Sequence, residues 1–92
     1  MDIPRALDKP GPFPRFYFYF NDEESAREAD SQLTAAGYQV KTTAPGGGIS
    51  EWSVIAEGWP DALDIAIAED EGFIPLAESL GGEFDGNELP VG

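Results

Sequence analysis

The six residues Arg15 to Phe20, RFYFYF, leave essentially one local structure available to them. Phe16, Phe18 and Phe20 recur at period two with Tyr17 and Tyr19 between them. An extended strand therefore puts three phenyl rings on one face and two phenols on the other. A buried phenol needs a hydrogen-bond partner and a phenyl ring does not, so the Phe face is the core side.

The rest of the chain supplies what such a strand needs. Residues 1–14 hold Pro4, Pro10, Pro12 and Pro14 and read as a flexible, Pro-rich lead-in; residues 15–92 read as a single domain. After the strand, Asn21 can cap a helix with Glu24 in capping-box register, and Ala26, Ala29, Leu33 and Ala36 form its apolar stripe. Gly37 stands where a left-handed helix end belongs. Tyr38 to Thr43 alternates, Pro45 to Gly48 is a loop, and Trp52 to Glu57 alternates again, which reads as a hairpin. Pro60 and Asp61 open a second helix with Leu63, Ala66 and Ile67 inward, broken or kinked near Gly72–Pro75 and resuming to Leu80. Glu83 to Leu89 is the last strand. The order β-α-β-β-α-β predicts an α+β, ferredoxin-like domain, an antiparallel sheet with two helices on one face. Its expected core is Phe16, Phe18, Phe20, Leu33, Val40, Trp52, Val54, Leu63, Ile67, Ile74, Leu80 and Phe84.

Charge narrows the function. Of 92 residues, 18 are acidic and five basic, a net charge of −13, and every base lies at or before Lys41. Residues 42–92 carry eleven of the acids and no cation. Phosphate backbones and anionic membranes are held mainly by Lys and Arg, so direct binding to nucleic acid or membrane is disfavoured and a basic protein segment is the complement. With no Cys and no His, thiolate and imidazole nucleophiles and His- or Cys-ligated metals are absent. No cofactor is indicated, and the reading is a non-enzymatic cytoplasmic protein that works by contact. Its N-terminus lacks the apolar run of a signal peptide, and no stretch is apolar enough to span a bilayer.

Three features are candidates for that contact. Tyr17 and Tyr19 share the open sheet face with Gln39, Lys41, Thr43, Ser53 and Ile55. Such aromatics can stack bases, as in RNA-binding sheets, but surrounding carboxylates oppose that here, and protein contact or self-association fits better. Glu69, Asp70 and Glu71 are consecutive, so a helix points them in different directions and denies them one compact metal site. Glu83, Asp85 and Glu88, with Gly86 and Asn87, form an oxygen-rich stretch. The order of EF-hand ligands is not met, yet a small-ligand or metal site on residues 83–88 is an alternative to protein contact. The run Pro45 to Gly48 lacks the Lys of a phosphate loop.

Residues Gly81-Gly82-Glu83-Phe84-Asp85-Gly86-Asn87-Glu88 resemble the closing motif of the regulator of ribonuclease E activity B family, Gly-Gly-Glu-Tyr-Asp-Gly-Trp-Glu at its fullest. The aromatic first strand, the acidic Ala-rich helix, Ala36-Gly37-Tyr38 and Trp52 are similar too, so the resemblance spans roughly residues 14–88. It implies a compact α+β domain that inhibits an endoribonuclease by contacting its basic, flexible scaffold region. The alternative partner is an unrelated basic protein. Glu83, Asp85, Gly86 and Glu88 match the motif, whereas Phe84 and Asn87 depart from it. On this reading the partner-binding residues are Glu83, Asp85, Gly86, Glu88, Glu69, Asp70, Glu71, Tyr17 and Tyr19.

Overall fold

The computed structural model describes residues 3–90. Four strands, β1 (Arg15–Phe20), β2 (Gln39–Thr43), β3 (Trp52–Glu57) and β4 (Glu83–Glu88), form one antiparallel sheet in the order β2-β3-β1-β4. Helix α1 (Glu23–Ala35) links β1 to β2, and β3 lies between those two strands. The second helical segment comprises α2 (Ile65–Ala68), a π-helical turn (Glu69–Phe73) and α3 (Ile74–Ser79). This is the predicted α+β arrangement. Phe16, Phe18 and Phe20 are buried under Ala26, Ala29 and Leu33 of α1 and under Phe73, Leu76 and Ala77 of the second segment. Phe73 is the hub, its ring centroid 4.5 Å from that of Phe16 and 5.8 Å from that of Phe18.

Local chemistry explains the elements. Asp22, rather than Asn21, caps α1: its carboxylate accepts from the Ser25 N–H at 2.9 Å. That geometry places Ser25, and not Glu24, at the position whose N–H the cap satisfies. Glu23 and Glu24 complement the positive helix end. Gly37, at φ +101°, ends α1 as expected, with Tyr38 N–H donating to the Leu33 carbonyl and Gly37 N–H to that of Thr34. Asp30 accepts from Thr34 of its own helix and, at 2.6 Å, from Thr42 of β2, pinning α1 to the sheet.

The second helix departs from expectation at its start. It opens at Ile65, where Asp64 accepts from the Ile67 N–H at 2.9 Å, and not at Pro60. Residues 59–61 instead hold the N-terminal segment: Leu7 N–H donates to the Trp59 carbonyl, Asp61 N–H to that of Arg5, and Ala6 bridges Pro60. Leu63 is consequently outside the core, 90% exposed. The expected interruption takes the form of the π turn. Pro75 lacks an N–H and its ring crowds the carbonyl four residues back, and a widened turn just before it relieves that conflict without ending the helix. The Pro-rich segment has no element of its own beyond the Ala6 bridge; Leu7 to Pro12 are exposed, while several residues on either side of them contact the domain. Pro14 is buried, Ile3 and Ala6 pack on the core, and the Pro4 carbonyl accepts from the Tyr38 hydroxyl at 2.6 Å.

Candidate functional site

The helix-free face of the sheet is a grid set by strand register. Gln39, Glu57, Arg15 and Glu88 form one row across the four strands. Thr43, Ser53, Tyr19 and Glu83 form another, with Lys41, Ile55 and Tyr17 between them. Tyr17, Tyr19 and Ile55 are half-buried at its centre, and a shallow open depression of about 400 Å³ is lined by Arg15, Gln39, Val40, Lys41, Ile55 and Glu57. Tyr17 and Tyr19 therefore share this face with Gln39, Lys41, Thr43, Ser53 and Ile55, as the alternation predicts.

β4 supplies most of the remaining chemistry, and Gly81, Gly82, Phe84, Gly86 and Asn87 of the closing motif each have a structural reason. Gly81, at φ +73°, ends α3 in the same manner as Gly37 ends α1: Gly82 N–H donates to the Ala77 carbonyl and Gly81 N–H to that of Glu78. At Gly82 an added Cβ would collide with the Phe20 ring and the Tyr19 carbonyl. Phe84 pairs with Phe18 and stacks on Phe73, with ring centroids 6.0 Å apart. Between the pairs Phe18–Phe84 and Phe16–Asn87, the single residue Tyr17 faces both Asp85 and Gly86, a bulge whose positive backbone angle, φ +97°, falls on Gly86. The extra residue turns Asn87 toward the helical layer and returns Glu88 to the open side. Glu83, Asp85 and Glu88 all remain exposed.

Two contacts tie the candidate groups together. Asn87 Nδ2 donates to Glu69 Oε2 at 2.5 Å, so the first acid of the π turn is drawn to β4. Glu71 instead lines a groove with Pro4, Asp61, Ala62 and Gly72, and Asp70 is exposed. The acidic triplet is thus divided, as divergent helical directions require. On the open side Arg15 bridges two strands, with Nε 2.7 Å from Glu57 Oε2 and Nη1 3.4 Å from Glu88 Oε1, and the Tyr17 hydroxyl is also 3.4 Å from Glu88. The hydrogen bond to Glu57, with a further contribution from Tyr17, holds the Arg15 guanidinium further above its usual range.

Arg15 and Glu57 were not among the sequence candidates, and Asn87 entered only as part of the oxygen-rich stretch at residues 83–88 and as a departure from the motif. The first two follow from register, because the antiparallel pairing of β1 with β3 that sets Phe18 against Val54 also sets Arg15 opposite Glu57. The Asn87–Glu69 contact had no sequence signal, since it depends on the bulge and the π turn together. Among the described residues no three acidic side chains converge as a metal-binding group, and no helix is long and apolar enough to cross a membrane. What this side of the molecule offers is an edge strand lined with carboxylates beside a half-buried aromatic centre.

A family model described as regulator of ribonuclease activity B matches residues 7–88. No curated protein and no solved structure matches the chain.

Proposed function

This chain belongs to the regulator of ribonuclease activity B family, and from that premise we propose that it restrains an endoribonuclease by contact, without chemistry of its own, in the cytoplasm. The family match over nearly the whole chain carries the proposal. The arrangement of charge supports a mode: a Lys/Arg-rich segment of the ribonuclease lies along β4 and meets Glu83, Asp85 and Glu88, with Glu69 alongside. A basic segment held there is withdrawn from RNA, because the carboxylates take the place of phosphates. Tyr17 and Tyr19 supply the apolar part of the contact, consistent with the enrichment of Tyr at interfaces.

The test is direct binding of the purified chain to an endoribonuclease that carries a basic segment, with RNA cleavage as the second readout. The wild-type chain binds and slows cleavage, and binding weakens as salt is raised, because exposed charges are screened within about 8 Å at physiological ionic strength. The double variant Glu83→Lys/Asp85→Lys alters exposed side chains that make no hydrogen bond or ion pair in the structure. It folds as the wild type does and binds at least roughly tenfold more weakly, in line with charge-pair losses of about 1.4 kcal/mol or more. Unchanged binding by this variant would remove β4 from the interface. A chain that leaves cleavage unaffected while saturating the enzyme would sink the regulatory role.

A further inference from the structure

We propose that the free edge of β4 accepts an extended basic segment as a fifth strand of the sheet. β4 is last in the strand order, and no described residue pairs with its outer side. Every second residue of such a strand presents an unsatisfied N–H and C=O outward, a ready template for another extended chain.

Charge selects the occupant. Glu83, Asp85 and Glu88 stand on the open side of this edge, and Glu69 is held on the helical side by Asn87. Two β4 edges brought together would set these carboxylates against one another, which disfavours a second copy of the chain. An incoming strand with Lys or Arg at alternate positions sets all its cations on one face, opposite Glu83, Asp85 and Glu88. The other free edge, β2, carries Gln39, Lys41 and Thr43 and no acid, so the preference belongs to β4 alone. Gly86 adds access: the space where its Cβ would stand is open, so a neighbouring backbone meets no side chain at the bulge.

This inference rests on the reading that the partner presents a basic segment, and it adds that main-chain pairing, not charge alone, holds that segment. The experiment uses the intact chain and two short peptides of alternating Lys and Thr, one unmodified and one N-methylated at every amide. The two carry the same charge, but only the first can donate main-chain hydrogen bonds. The expected result is that the unmodified peptide binds roughly tenfold or more tightly than its methylated counterpart. It also slows amide exchange at alternate residues of Glu83–Glu88 and leaves β2 unaffected. Equal binding of the two peptides, or binding without protection of β4, would overturn strand addition while leaving a charge-based contact with the ribonuclease standing. Binding of neither peptide would overturn it as well. Protection of β4 that grows with protein concentration alone would assign the edge to a second copy and refute the proposal.

Discussion

Tyr38 shows how one side chain can join segments far apart in sequence. It is 3% exposed, and its hydroxyl donates to the Pro4 carbonyl, so the start of the chain is anchored beneath the start of β2. Burial, reinforced by the charge of Asp61, pushes its pKa well above the ordinary phenol range. The folded hydroxyl thus stays protonated at pH values where the unfolded chain's ionises. The stability this confers is complete below about pH 10 and declines as pH rises above that value. Tyr38→Phe should cost about 1 kcal/mol at neutral pH through the lost hydrogen bond, and its melting temperature should fall less steeply with alkaline pH than that of the wild type. Parallel melts from pH 7 to pH 11 check both. Gly82 makes the opposite kind of demand, for absence of a side chain. Gly82→Ala should destabilise by roughly 1–3 kcal/mol, because the methyl group is forced against Phe20 and the Tyr19 carbonyl at the entrance to β4. Denaturant titration measures it.

At the scale of elements, the second helix is where periodicity misleads. The buried residues of this segment are Ala68, Gly72, Phe73, Leu76 and Ala77, whereas Leu63 and Ala66, read as inward from the sequence, are exposed and Ile67 is half-buried. A regular helix opened at Pro60 buries Leu63 and Ile67 on paper; the actual one exposes Leu63 and centres the core on Phe73. Phe73→Ala should therefore cost about 3–5 kcal/mol, a large share of the stability of a domain this size, while Leu63→Ala should stay within about 0.5 kcal/mol of the wild type. Thermal melts of the two variants distinguish the observed helix from the regular one. The first helix was legible from its Ala/Leu stripe and Gly37, which act within a few residues of one another, although its cap is Asp22 and not Asn21. The π turn was not, because it answers to Pro75 and to the packing of Phe73 under β1 at once.

For the molecule as a whole, charge dominates. At −13 the folded chain repels itself, with most of the excess in residues 42–92, which hold no Lys or Arg. Added salt should therefore act in two opposite directions. It should raise the melting temperature by screening self-repulsion and weaken contact with a basic partner over the same range. Melts and binding isotherms at matched salt concentrations test this, and a contact insensitive to salt would point to an apolar interface centred on Tyr17 and Ile55 instead.

The sequence by itself determined the strands, the first helix, the order of elements and the sidedness of charge. Each of these follows from residues close together: the alternation of RFYFYF, a cap and a stripe, a glycine at a helix end, and the absence of Lys and Arg beyond residue 41. Tertiary structure alone decided which acids stand together. A bulge that sets Tyr17 against both Asp85 and Gly86 keeps Glu88 on the open face and turns Asn87 toward Glu69. Arg15 then joins Glu57 to Glu88 across strands far apart in sequence. Gly86 and Gly72–Pro75 mark where regularity gives way, but register and the form each irregularity takes are set only when two elements must fit one core.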